Sequence, residues 1–234
     1  MKFYTLITGL APIDLAFESA IRQTVKSTVI GVVDDSNKNE VDYQKDHMIW
    51  YRNGRHHKAK NIFETINDVL APILHKEDVV CLLDGDDWYK DKYALEPVRS
   101  AYQSSNVWLT HGCYEKISGA PRSNNGQYRT NLPVRVDRWK GSHLKTFRAG
   151  LFKRIPRSAL RDEKGNWLTV CSDMAIMFPM LEMAGIDRVR FIQKKIYCYN
   201  DKTGMNDHEI NVQKQVSTER WLRKQRSFPR LEEL

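Results

Sequence analysis

Apolar and polar positions follow two alternating patterns along the first half of this chain. Lys2-Phe3-Tyr4-Thr5-Leu6-Ile7-Thr8 reads as a strand. Ile13 to Lys26 then carries apolar residues at helical spacing. Val29-Ile30-Gly31-Val32-Val33 is a second strand, and it ends in the acids of Asp34-Asp35-Ser36. Met48-Ile49-Trp50-Tyr51 is a short strand, and the pattern from Lys58 to Leu74 predicts a long amphipathic helix. Val79-Val80-Cys81-Leu82-Leu83 is the kind of continuous apolar run that forms a buried strand, and it leads straight into Asp84-Gly85-Asp86-Asp87-Trp88. Strand alternating with helix predicts one α/β domain, a Rossmann-like, mostly parallel sheet flanked by helices. In such sheets ligands gather at the carboxyl ends of the strands. The two acidic clusters are therefore expected to face one crevice.

The second half is less regular. Gly119 to Pro133 is rich in Gly, Pro, Asn and Ser and reads as a loop; loops of that length inside a domain are usually functional or mobile. Ser142 to Arg148 leads into a helix-like Ala149 to Ile155. Ser172-Asp173 opens a helical pattern over Met174 to Ala184 that contains Pro179. A basic stretch, Arg220 to Arg230, lies on an amphipathic pattern in which Trp221, Leu222 and Phe228 are spaced to pack back on the domain. The expected organisation is a main domain over 1–208 in two parts, about 1–112 and about 113–208. A basic helix and tail follow over 209–234.

Composition narrows the class. A chain of 234 residues with 41% hydrophobic and 10% aromatic residues can bury a core and is not a disordered polymer. No apolar run approaches the roughly 18 residues that a bilayer span needs. The first ten residues show no cleavage-like site and read as the first strand. Cys81, Cys113, Cys171 and Cys198 show no Cys-x-x-Cys spacing, which argues against a zinc site and for a reduced, cytoplasmic protein.

Charge adds a second feature. The formal net charge is +8, and residues 116–164 hold 13 Lys/Arg against 3 Asp/Glu. Tyr128, Trp139, His143 and Phe147 are interleaved with those cations. Such a mixture suits a polyanion, and Arg135, Arg138, Trp139 and Lys140 are its candidate acceptor-binding residues. The competing reading is a solvated face plus a few cations that hold a diphosphate.

The acids carry the chemistry. Carboxylates crowded at a strand end repel one another unless a cation neutralises them, and a hard divalent cation gripping a phosphate is the usual solution. A solvated polar turn is the alternative, because Asp-Gly pairs are common in turns.

Together these segments resemble the family 2 glycosyltransferases of the GT-A fold, over about residues 2–208. The matching motifs are the acidic pair in Val33-Asp34-Asp35-Ser36, Asn53-Gly54 followed by Ala59-Lys60-Asn61, the Asp-x-Asp of Asp84-Gly85-Asp86 with Asp87-Trp88 behind it, and Asp173 at a helix start. The resemblance implies a nucleotide-sugar site that includes Asp34, Asp35, Asn53, Lys60, Asp84 and Asp86, with a UDP-sugar as the expected donor. It assigns nucleotide binding to the first part of the domain, about 1–112, and the acceptor side to the second, about 113–208. It implies Mn²⁺ or Mg²⁺ held by Asp86 and Asp84, with His208 as third ligand or else a helix-start residue before Glu209. Asp173 is the implied general base of an inverting transfer, and an ordinary helix-start acid is the alternative. His143 is expected near donor or acceptor, or as a helix cap. Two departures stand out: Ser172 replaces the usual acid, and Pro179 interrupts the base helix. The acceptor is open between a polyanion such as hydroxymethylated DNA and a saccharide of a surface polymer. A Mg²⁺-dependent nucleotidyltransferase would want a glycine-rich phosphate loop, and Thr8-Gly9-Leu10-Ala11-Pro12 has a single Gly. A nucleic-acid-binding module would leave both acidic strand ends unexplained.

Overall fold

The computed structural model describes residues 1–44, 47–120, 126–203 and 212–234. Strand β1 (Phe3–Leu10) leads through helix α1 (Asp14–Ile21) to β2 (Ser27–Ser36). The paired strands β3 (Glu40–Gln44) and β4 (His47–Asn53) follow, then helix α2 (Lys58–Glu64) and β5 (Val79–Asp84). Next come β6 (Trp88–Tyr89), α3 (Glu96–Tyr102), β7 (Leu109–Lys116), β8 (Lys145–Arg148) and α4 (Ala149–Phe152). Helix α5 (Ser172–Ala184), strand β9 (Val189–Tyr199) and helix α6 (Val212–Lys224) complete the described elements.

Among the described residues the strands form one nine-stranded sheet in the order β3-β4-β2-β1-β5-β8-β7-β9-β6. The pairings run β4, β2, β1, β5, β7 and β9 in one direction, with β3, β8 and β6 against them. By direction the sheet is mostly parallel, as strand–helix alternation predicts. Successive residues of a strand point to opposite faces, and the core divides accordingly. Tyr4, Leu6, Ile30, Val32, Val80 and Leu82 face one layer, which contains Ile62 of α2 and Ile176 of α5. Phe3, Ile7, Val29, Val33, Cys81 and Leu83 face the other, with Ala16 of α1 and Val98 of α3.

Register sets the site. Leu10 lies opposite Asp34 in the β1–β2 pairing, and Thr8 lies opposite Asp84 in the β1–β5 pairing. The two acidic strand ends therefore flank the end of β1. The chain winds outward from β1 through β2 to β4, then returns to β5 on the other side. This reversal opens a crevice at the strand ends. Gly9 and Gly85 meet there, and a Cβ on Gly9 would stand 2.9 Å from the Gly85 Cα.

Three expected helices are shorter than their patterns, among them α4, which ends at Phe152 rather than Ile155. Helix α1 stops at Ile21 rather than Lys26, and the buried Gln23 side chain instead bonds across to the Asp91 carbonyl and the Leu95 amide. Helix α2 stops at Glu64, and the chain widens into a π-helical turn over Thr65–Val69. The Thr65 hydroxyl donates to the Asn61 carbonyl at 2.7 Å there, a bond that competes with the helical ladder. Leu222 of α6 is 3% exposed within the α5 layer, with Trp221 and Phe228 packed beside it. Burying one such leucine is worth roughly 1.5–3 kcal/mol. No described helix is long and apolar enough to cross a membrane.

Candidate active site

The crevice has a small arm along β1 and β2, lined by Thr8, Gly9, Asp34, Arg55, His57 and Lys58 among others. Asp34 is buried at 4% exposure. Its carboxylate accepts from the His56 amide at 2.9 and 3.0 Å and from the His57 amide at 2.8 Å. It thereby closes the turn that follows β4. Asp35 is exposed and left-handed, with φ 56°, and its amide donates to the Gly54 carbonyl. Asn53 is exposed on the rim. Lys60 points away from the acids, with its ammonium 3.0 Å from His56 Nδ1 and 3.9 Å from Glu64. Its neighbour Asn61 is buried and accepts from Arg52 at 2.6 Å.

The other arm holds a tight charge cluster. Lys58, which opens α2, reaches Asp84 Oδ1 at 2.6 Å and Asp173 Oδ1 at 2.8 Å. Lys145 of β8, 1% exposed, reaches Asp173 Oδ2 at 2.7 Å and lies 3.1 Å from His143 Nδ1. The His143 ring stacks on Tyr197 at 4.6 Å. Asp87 accepts from the Tyr197 hydroxyl at 2.6 Å and from the Asn200 amide at 2.7 Å. Ligand atoms of Asp84, Asp87 and His143 lie within 4.8 Å of one another.

The electrostatics follow from this packing. Burial disfavours the Asp173 and Asp84 carboxylates, but the facing cations outweigh it and hold both below the ordinary value. Burial works against Lys58 as well, yet Asp173 and Asp84 hold it above an ordinary lysine. Lys145 is pushed down, because burial exceeds the pull of Asp173. Burial and then Lys145 push His143 down to about 3, so its ring is neutral near pH 7. Burial, Asp84 and Asp86 push Asp87 up to about 8.

The sequence-predicted residues divide into several groups. Asp84, Asp173 and His143 converge, and Asp34 lies in the same crevice on the other side of β1. Asp86 is exposed on the rim; among the described residues the cation-sized group is completed by Asp87 and His143, not by Asp86. His208 lies outside the described residues. The basic segment departs most from the sequence reading. Arg135 is buried and forked onto Glu182 at 2.6 and 3.0 Å, with a third bond to the Leu222 carbonyl. Lys140 is buried on Asp137 at 2.5 Å. Trp139 packs edge-on against Phe178. Arg135 and Trp139 tie the segment to α5 and α6, Lys140 is closed within it, and Arg138 alone of the four is exposed. Sequence reasoning missed Lys58, Lys145 and Tyr197. The available signals were a lysine between Leu144 and Phe147 and a Lys just ahead of Ala59-Lys60-Asn61.

This architecture, with strand-end acids around a reversal in a mostly parallel sheet, is the GT-A type of α/β fold. Solved glycosyltransferase structures share it. S. aureus TarS 1–349 in complex with UDP is 14% identical with a TM-score of 0.60, over 94% of this chain and 65% of that one. The same TarS fragment in complex with UDP-GlcNAc is 14% identical with a TM-score of 0.59. Glucosyl-3-phosphoglycerate synthase from Mycobacterium tuberculosis, in complex with Mn²⁺, UDP-glucose and phosphoglyceric acid, is 11% identical with a TM-score of 0.62, over 99% of this chain and 88% of that one. The chain thus spans just under two thirds of the TarS fragment. At these identities the likeness is one of fold. No protein-family model and no curated sequence matches the chain.

Proposed function

We propose that the chain is a nucleotide-sugar-dependent glycosyltransferase that works by inversion, with UDP as the carrier. One observation carries this reading: Asp34, Asp84 and the helix-start Asp173, far apart in sequence, converge on one crevice at the strand ends. The base and ribose would lie in the arm beside Asp34 and Asp35, and the diphosphate beside Lys58. Asp173, on the far side of the sugar, would take the proton from the acceptor hydroxyl as that oxygen attacks the anomeric carbon. Attack from the face opposite the leaving diphosphate inverts the configuration.

The donor set of Asp84, Asp87 and His143, two carboxylates and a neutral imidazole, fits Mn²⁺, with Mg²⁺ less suited to the nitrogen. Burial first, and then Asp84 and Asp86, raise the Asp87 carboxyl, and a bound cation would favour its ionised form. A bound cation would neutralise charge developing on the diphosphate. With Arg135 and Lys140 closed inside the fold, the case for a polyanion acceptor such as hydroxymethylated DNA loses most of its residues. A saccharide hydroxyl is the reading we favour.

The test is a mass-spectrometric screen of UDP-sugars with Mn²⁺ against saccharide and hydroxymethylated-DNA acceptors, with Asp173→Asn as control. Transfer should occur in the wild type and fall by about two to four orders of magnitude in the variant, the usual worth of a general base. Equal turnover in the two proteins would remove Asp173 from the chemistry.

A further inference from the structure

The cluster raises a difficulty for any base at position 173. Both carboxylate oxygens are already taken, Oδ1 by Lys58 and Oδ2 by Lys145. Each oxygen keeps a further lone pair, but a carboxylate gripped by two ammonium groups is a poor proton acceptor, because both cations favour its ionised form. The same Lys58 ammonium pins Asp84, so it also competes with any cation for that ligand. Two carboxylates, Asp84 and Asp173, stand against two ammonium groups, and the group is balanced without any ligand.

We propose that Lys58 and Lys145 form a latch on Asp173 that the donor's diphosphate releases, so that the base becomes available only after the donor is bound. The inference rests on the glycosyltransferase reading above and adds two positioning residues and an order of binding to it. Three features carry it. First, Lys58 belongs to both arms of the crevice: it lines the nucleotide arm with Asp34 and Arg55, and it touches both acids of the other arm. A diphosphate leading out of the nucleotide arm meets this ammonium first. Second, a lysine ammonium is a point charge with three donors on a flexible stem, so it can turn from a carboxylate to a phosphate oxygen without moving its backbone. Third, a diphosphate carries more negative charge than Asp173 and would win both cations. Lys145 is 1% exposed, which leaves a group entering the crevice, rather than bulk water, to compete for it. The acceptor then meets a carboxylate that has lost its cationic partners. Before the donor arrives, the base is masked, which disfavours acceptor binding first.

The experiment is calorimetric binding of UDP, with and without Mn²⁺, to the wild type and to Lys58→Met, Lys145→Met and Asp173→Asn, each checked for folding by circular dichroism. Lys58→Met should weaken UDP by about ten-fold or more, the scale of one charge-assisted contact. Asp173→Asn should bind UDP several-fold more tightly than wild type while losing transfer, because the carboxylate that competes for the two lysines is gone. Plain loss of a negative charge also tightens UDP, so the latch further requires that the tightening shrink when Asp173→Asn is combined with Lys58→Met, whereas simple repulsion would persist there. If Lys145→Met fails to fold, Lys145→Arg and the Asp173→Asn result decide the matter. UDP binding by the wild type with unchanged or weaker binding by Asp173→Asn would overturn the latch and leave the glycosyltransferase reading in place. Absence of any UDP binding by the wild type would overturn both.

Discussion

Tyr197 donates its hydroxyl to Asp87 Oδ2 at 2.6 Å, joining residues 110 positions apart in the chain. The same hydroxyl accepts from the Asp84 amide at 3.2 Å. A single buried phenol on β9 thus fixes the turn that carries the acids after β5, and its ring supports His143. The antiparallel half of the sheet acts in this way on the parallel half. Tyr197→Phe keeps the ring and removes both bonds. We expect a loss of about 1–3 kcal/mol in urea denaturation, the cost of leaving a buried partner unsatisfied, and weaker Mn²⁺ binding. Unchanged stability together with unchanged Mn²⁺ affinity would show that the hydroxyl holds nothing in place.

Asp87 should also give stability a characteristic pH dependence. Burial and the facing Asp84 and Asp86 raise it to about 8, whereas an unfolded aspartate releases its proton near 4. The folded chain keeps a proton that the unfolded chain has lost. The stabilisation from Asp87 is therefore complete below about pH 4 and is lost as pH rises towards about 8. In EDTA, the stability of wild type relative to Asp87→Asn should fall steadily over that window. Urea titrations at pH 4.5, 6 and 8 measure it, and a constant difference would refute the raised value.

The basic segment makes the opposite of a surface prediction. Arg135 and Glu182 form a forked pair, each side chain under 10% exposed at 6% and 8%. Removing one member of a buried pair typically costs 3–5 kcal/mol, because the other charge is left uncompensated. Arg135→Met should destabilise by about that much in thermal melts. Arg138→Ala, on an exposed neighbour, should stay within about 0.5 kcal/mol. If the segment instead binds DNA through these arginines, Arg138→Ala and Arg135→Met would weaken DNA binding alike and melt alike.

The contrast explains what the sequence could and could not convey. Strand ends were legible because an apolar run that stops at Asp34 or Asp84 has a local cause, and register alone then brings the two acids together on either side of β1. Asp173 was legible because a helix start is local too. Partners were not. Arg135 reads the same whether its fork meets Glu182 or solvent, since that depends on how α5 packs 47 positions later. Lys145 and Tyr197 were hidden for the same reason: each takes its role from residues supplied by other strands. β3 was hidden because Glu40–Gln44 is only five residues long, its alternating Val41 and Tyr43 stay exposed, and it pairs on one edge with β4 alone.

The two acids that end β2 should separate cleanly in experiment. Asp34 faces inward and accepts three bonds from two backbone amides. Asp35 faces out, in a left-handed conformation at φ 56° that Asn tolerates and Ala does not without strain. Asp34→Ala leaves the His56 and His57 amides without their acceptor. It should cost about 1–3 kcal/mol of stability and also loosen the turn that lines the nucleotide arm, so UDP affinity falls with it. Asp35→Asn preserves the backbone and should stay within about 0.5 kcal/mol in stability. If Asp35 contacts the nucleoside, as its exposed place beside Asp34 leads us to expect, the same variant should weaken UDP by about ten-fold, the scale of one hydrogen bond to a charged group. Urea titration and calorimetry on the two variants give four numbers. Loss of stability in Asp35→Asn, or full UDP affinity in it, would assign the nucleoside contact to Asp34 and its turn instead.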